Sequence, residues 1–202
     1  GDVFALYRTA AGEVGAMRAC GGAPANADVD TVTEAIGSDS SDVVEMPETG
    51  AHTVTVPGTA RGWEATVEQL GRKTLAEVLQ PAIGYAMDGY PVSEVVAEQW
   101  RHGEELFASP HAREAFLFDG RAPTVGQRVR LPKLGESLQA IARESADVVY
   151  EGKIGERIVS EVRSRGGFMT LDDLADFEVE WPTPITSSYN GADIYELPPN
   201  NQ

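Results

Sequence analysis

The chain opens on two short apolar-rich runs, residues 3–8 and 13–19. Val3-Phe4-Ala5-Leu6-Tyr7 and the run 13–19 are two short strands around Thr9-Ala10-Ala11-Gly12, the pattern of a β-hairpin. Cys20-Gly21-Gly22-Ala23-Pro24 then forces a turn. Residues 28–36 read as a short helix, 37–50 as a polar loop, and His52-Thr53-Val54-Thr55-Val56 as a β-branched strand ended by Pro57-Gly58.

From there the apolar spacing is that of helices. Thr59 is placed to cap a helix that runs to Leu70 and stops at Gly71. Thr74 and Glu77 fit a capping box, and Leu75, Val78, Leu79, Ala82, Ile83 and Ala86 form one stripe behind it. Pro81 within that stripe is expected to bend or shorten the helix. Ser93 opens a helix expected to reach Phe107, and residues 108–131 are less regular. Leu134, Leu138 and Ile141, then Ile154, Ile158 and Val162, repeat at helical spacing, the second set ending at Gly166-Gly167. Thr170 with Asp173 caps a short helix over 171–176. Strands at 184–189 and 192–197 flank Asn190-Gly191, a strong hairpin signal, and Pro198-Pro199 stops the second. The expectation is an α+β, mainly helical chain with a β-hairpin near each end. Two-stranded hairpins are marginal alone, so both are expected to belong to a sheet completed by strands outside this sequence.

Composition narrows the function. The 202 residues carry 32 acidic and 16 basic side chains, a net charge of −16, with only Lys73, Lys133 and Lys153 as lysines. Nucleic acid is not expected as a partner, because phosphate binding wants a basic patch. No run of eighteen apolar residues is present, so no membrane partner is expected. An acid-rich, lysine-poor surface is the profile of a halophilic protein, whose self-repulsion salt screens. Cys20 is the one cysteine; it makes no intrachain disulfide, builds no zinc site and leaves the compartment, and so the localisation, open.

Spacing offers little chemistry. His52, His102 and His111 lack metal-ligand spacing, so no metal or other cofactor is expected. Neither a dinucleotide fingerprint, a Walker lysine nor a Gly-x-Ser-x-Gly elbow occurs. Asp172-Asp173 and Glu104-Glu105 are adjacent on helices, point apart, and read as solvated faces. Cys20 has no histidine nearby in sequence to activate it.

Six landmarks in order carry more information. Val56-Pro57-Gly58-Thr59-Ala60-Arg61-Gly62-Trp63 resembles the Val-Pro-Gly-x-x-x-Gly-aromatic segment of the γ-glutamyltransferase family. Leu79-Gln80-Pro81-Ala82-Ile83 with Asp88-Gly89-Tyr90-Pro91-Val92, and Tyr150-Glu151-Gly152 with Ile158, are similar to two of its helical segments. Gly166-Gly167-Phe168-Met169-Thr170-Leu171-Asp172-Asp173-Leu174-Ala175 resembles its Gly-Gly-x-[Ile/Leu]-Thr-x-x-Asp-Leu-Ala. Gly1-Asp2-Val3-Phe4-Ala5-Leu6 resembles a hairpin near the start of the heavy chain. Pro184 to Tyr189, Tyr195 and Pro198-Pro199-Asn200-Asn201-Gln202 resemble the closing strands and Pro-Pro turn.

The resemblance implies a partial heavy-subunit region spanning 1–202: residues 1–24 a hairpin of the core sheet, 25–180 mainly helical, 181–202 closing strands. It implies part of the αββα sandwich of an N-terminal-nucleophile hydrolase. Such a precursor cuts itself, and the freed threonine passes a γ-glutamyl group, from glutathione for instance, to water or an amino acid. That threonine lies downstream of the Pro-Pro turn in the family. No catalytic residue is therefore expected in this chain, which alone is expected to be inactive. The partners implied are a γ-glutamyl substrate and the chain's own downstream small subunit; unpaired strand edges also allow pairing with a second copy.

Two departures stand out. The position where the family carries a carboxylate-gripping arginine reads Cys20 or Gly22, leaving Arg18, two to four residues away, as the candidate substrate-binding residue. The closing Pro-Pro-Asn-Asn-Gln differs from the Pro-Pro-Pro-Ser-Ser form. Both leave room for an amidase or acylase of the same fold, and lack of a nucleophile leaves room for a non-catalytic helical binding domain.

Overall fold

The structure, a computed structural model, describes residues 1–37 and 45–200. Most of the expected 37–50 loop, residues 38–44, lies outside the described residues, as do 201 and 202. In chain order the elements are β1 (Val3–Arg8), β2 (Val14–Ala19), α1 (Val29–Ile36), α2 (Thr59–Leu70), α3 (Leu75–Asp88) and β3 (Tyr90–Pro91). They continue with α4 (Glu94–His102), α5 (Pro110–Phe116), β4 (Arg128–Val129), α6 (Pro132–Glu144) and α7 (Asp147–Tyr150). The last four are α8 (Lys153–Ser164), α9 (Leu171–Ala175), β5 (Ile185–Tyr189) and β6 (Ala192–Glu196). The chain is mainly helical with an antiparallel hairpin near each end. It divides into two compact units, residues 1–72 with 144–202, and residues 73–143.

In the first unit, β1 and β2 pair from Val3 opposite Ala19 to Arg8 opposite Val14. β2 buries Ala16, Met17 and Ala19, residues from both faces, which marks a strand covered on two sides. α2 lies on this hairpin. A Cβ added to Gly62 would come 2.7 Å from that of Ala19 and 3.3 Å from that of Val3, so the glycine sets how closely helix and strand approach. α7, α8 and α9 pack on one another around Leu174, Met169 and Tyr150, all fully buried. The Thr170–Asp173 capping box is present as expected. The β5–β6 hairpin also forms on the expected register, Tyr189 opposite Ala192. All ten of its strand residues are exposed.

The second unit holds α3 to α6. The capping box at Thr74 and Glu77 starts α3. Leu79, Ile83 and Ala86 of the expected stripe are buried, while Val78 stays 47% exposed. Pro81 does not shorten α3, which runs through it to Asp88. The proline sits on the exposed side, where the carbonyl it fails to bond can meet water. The two-residue ribbon of β3 and β4, with α4, encloses a small core of Val92, Ala97 and Val129 under Tyr90, Trp100 and Phe118.

Three local readings differ. Residues 51–53 form a 3₁₀ turn instead of a strand. The Thr53 hydroxyl donates to the Gly50 carbonyl at 2.9 Å, and only Val56 N–H reaches across, to the Gly22 carbonyl. Thr59 is the first residue of α2, and Gly58 occupies the cap without a side-chain bond. The helix from Ser93 ends at His102, with a 3₁₀ turn at Glu104–Leu106; α5 then begins behind a Ser109 cap in the stretch read as irregular.

Candidate functional site

Two of the segments singled out in the sequence meet in the first unit where β2 ends. Gly21 lies against the Val56 carbonyl so tightly that any Cβ there would collide with it. Val56 N–H in turn donates to the Gly22 carbonyl at 3.0 Å. Thus Cys20-Gly21-Gly22 and Val56-Pro57-Gly58, separate in sequence, form one backbone junction.

Arg18 sits in β2, two residues before this junction. Its peptide exchanges hydrogen bonds with Glu180 in both directions, at 2.8 and 2.9 Å, which adds Glu180 as a bridge on the edge of β2. Its guanidinium donates to the Glu180 carboxylate and to the Pro199 carbonyl. The Asn200 amide lies 3.5 Å from Cys20 Sγ. Arg18 therefore fastens the Pro-Pro turn to the first hairpin, and Cys20 packs under the next residue of that turn. The Cys20 thiol is half-buried, and its other polar neighbour is the Gly21 carbonyl.

Asp173 does more than face solvent. It accepts from Thr170 N–H and hydroxyl, both at 2.7 Å, and from Ala25 N–H at 2.7 Å, pinning the turn after Gly22 to α9. Burial pushes its pKa up, but these bonds outweigh it and hold the carboxyl below its ordinary value. Glu104 likewise accepts from Ala122 N–H at 3.1 Å. These two acids of the adjacent pairs are thus tertiary anchors.

A polar cluster that sequence reading missed lies behind the junction. Tyr150 hydroxyl donates to the Pro57 carbonyl at 2.8 Å and accepts from Arg61 N–H at 3.2 Å. The Arg61 guanidinium stands 4.8 Å from the Tyr150 ring centre and bonds Glu64 at 2.7 Å and Asp147 at 2.8 Å. Glu64 also accepts from Ala146 N–H. Burial of Arg61 disfavours its charge, yet the bonds to Asp147 and Glu64 prevail and its pKa rises. Asp147 is held low chiefly by its bond from Arg61, and Tyr150 is pushed up by burial. Arg61 and Glu64 at i and i+3 gave the only sequence sign of this cluster.

The histidines remain apart from this junction's polar contacts. His52 stacks tilted on Phe168, centroids 5.5 Å apart; His102 lies 3.2 Å from Glu98 on α4; His111 is on α5. Among the described residues no group of three His, Cys, Asp or Glu side chains is placed to hold a metal, and no helix is long and apolar enough to cross a membrane. The junction is a scaffold of backbone bonds and ion pairs, with no nucleophile–base pair among these contacts.

Comparison with known proteins gives this scaffold its class. The family model described as gamma-glutamyltranspeptidase matches residues 1–202, the whole chain. The chain belongs to the γ-glutamyltranspeptidase family. It is 42% identical over 153 residues to the glutathione hydrolase-like YwrD proenzyme of Bacillus subtilis (strain 168), covering 74% of this chain and 29% of that protein. The γ-glutamyltranspeptidase of Helicobacter pylori superposes with a TM-score of 0.91 at 29% identity, over all of this chain and 57% of that one. The cephalosporin acylase of Bacillus halodurans does so with a TM-score of 0.89 at 32% identity, over 98% and 37%. The fold is thus the matching part of the N-terminal-nucleophile hydrolase sandwich, and the chain spans between a quarter and about a third of the length of curated relatives it matches.

Proposed function

We propose that residues 1–202 are a heavy-subunit region of a self-processing threonine hydrolase or acyltransferase acting on γ-glutamyl amides such as glutathione. Family membership along all 202 residues carries this reading. The nucleophile would come from a threonine freed by self-cleavage beyond Gln202, with its own α-amine as base, and the γ-glutamyl group would pass to water or an amino acid. The segment 1–202 would then be inactive alone and serve as scaffold. The exposed β5–β6 hairpin, with Ile185 and Ile194 each 51% exposed, supports docking of the downstream small subunit there.

A second reading, an acylase of the same fold, is favoured by one observation. The backbone junction presents Cys20 and Gly22 where a carboxylate-binding arginine is expected, and Arg18 is already bonded to Glu180 and the Pro199 carbonyl. Substrate binding by Arg18 would require it to exchange one of those partners.

The test uses the full-length protein. Self-cleavage into two bands with a small subunit beginning in Thr, and hydrolysis of γ-glutamyl-p-nitroanilide ahead of non-glutamyl anilides, is the expected result. Preference for non-glutamyl amides selects the acylase. A single uncut band with no amidase activity on either set rejects both and leaves a binding domain.

A further inference from the structure

The second unit contains a cavity of about 390 Å³, bounded by α5, the residues before α6, and the first turns of α6. That volume falls among small-molecule pockets, roughly 300–1,000 Å³. Its walls are apolar: Phe116 and Phe118 on one side, Leu134 on the other. Leu134 belongs to the stripe that helical spacing assigns to the core, yet it is 47% exposed, and Phe116 is 38% exposed. Trp100 backs the aromatic side through its ring contacts with both phenylalanines and by donating Nε1–H to the Phe116 carbonyl at 2.8 Å.

The rim is charged asymmetrically. Lys133 faces Glu114 at 3.1 Å, so those two charges balance. Arg130 donates Nε–H to the Asp88 carbonyl at 3.1 Å and has no carboxylate within ion-pair distance among the described residues. Its two terminal nitrogens are left to donate together, the geometry that suits a carboxylate. The N-terminus of α6 opens on the same rim and adds positive partial charge. The rim therefore carries one uncompensated cation above apolar walls.

We propose that this cavity binds an amphipathic monocarboxylate, its hydrocarbon part between Phe116, Phe118 and Leu134 and its carboxylate on Arg130. A neutral apolar molecule would leave the guanidinium without its partner. A polyphosphate would bring several charges to one cation and lay them on apolar walls. A single carboxylate on a medium-length hydrocarbon satisfies both halves.

The test is calorimetric titration of the full-length protein with octanoate, with 1-octanol as the uncharged control. Octanoate is expected to bind one-to-one and octanol much more weakly. Arg130→Met should weaken octanoate about tenfold, the value of one charge-assisted bond. Leu134→Ser, at a position 47% exposed, should weaken both probes. Lys133→Met should leave octanoate affinity within about threefold, since Lys133 is already balanced. If Arg130→Met does not fold, the Leu134→Ser result and the octanol comparison still decide. No octanoate heat at millimolar concentration, equal binding of octanol, or affinity unchanged in both Arg130→Met and Leu134→Ser overturns the proposal.

Discussion

The two units differ sharply in charge. Residues 73–143 hold nine acidic and eight basic side chains, a net charge of −1; the remaining 131 residues hold 23 acidic and eight basic, a net charge of −15. Nearly all the net negative charge thus belongs to one unit. That unit also places arginines in tertiary contacts, Arg18 on Glu180 and Arg61 on Asp147, 162 and 86 residues away. The second unit's ion pairs at Arg101 and Lys133 are exposed, a kind worth little, while its Arg128 and Arg130 reach the Gly89 and Asp88 carbonyls. Ion pairs on half-buried arginines thus brace the acidic unit, and arginine-to-carbonyl bonds with a small aromatic core brace the near-neutral one.

Paired glycine substitutions should sharpen this contrast most. Gly62→Ala, in α2 against Ala19, should destabilise the full-length protein by about 1–3 kcal/mol in urea unfolding. Gly84→Ala, in α3 with nothing within 4 Å of the added Cβ, should stabilise it by about 0.4–1 kcal/mol. Equal effects at the two positions would mean that the approach of α2 to Ala19 is no tighter than the surroundings of Gly84 in α3.

Tyr150→Phe comes next. It removes the donor to the Pro57 carbonyl and the acceptor for Arg61 N–H, at a nearly fully buried side chain. The expected loss is about 1–3 kcal/mol. A loss below the measurement error would mean that water replaces both bonds and that the cluster does not brace the junction.

Acid should loosen the same unit. Asp147 and Asp173 have depressed folded pKa values, so the stability they lend is present above the unfolded value of about 3.9 and is lost as pH falls through their lower folded values. Hydrogen exchange between pH 5 and 2.5 should show protection around α7 and α9 falling, and also around α3 and α4, whose Glu77 and Glu98 are held low by hydrogen bonds of their own. Asp173→Asn should flatten that dependence around α9 and leave it unchanged around α3. Protection around α9 that is independent of pH would refute the assignment.

The smallest effect per site concerns salt. Molar KCl should raise exchange protection more in the unit of charge −15 than in that of −1, because screening relieves like-charge repulsion. Equal responses, or none, would reject the halophilic reading of the composition.

Local interactions were the legible ones. The capping boxes at Thr74 and Thr170, the Asn190-Gly191 turn and the Asp28 cap of α1 each join residues within a few positions, so sequence alone specified them. The order of glycine and proline landmarks specified the family as well, because those residues fix where the backbone turns and closes up. Misread segments were those whose outcome depends on a distant neighbour. Residues 52–56 have strand composition but, among the described residues, make a single long-range backbone bond, from Val56 N–H, and Leu134 has core spacing but borders a cavity. Folding also brings Glu180 and Pro199 beside Arg18, and brings Ala25 to Asp173, which adjacency on the helix reads as solvated. Sequence determined the elements, their caps and the total charge, since these depend on neighbours along the chain. Tertiary structure decided which charges are spent, which glycines are crowded and where the acidity collects, since these depend on residues brought together only by folding.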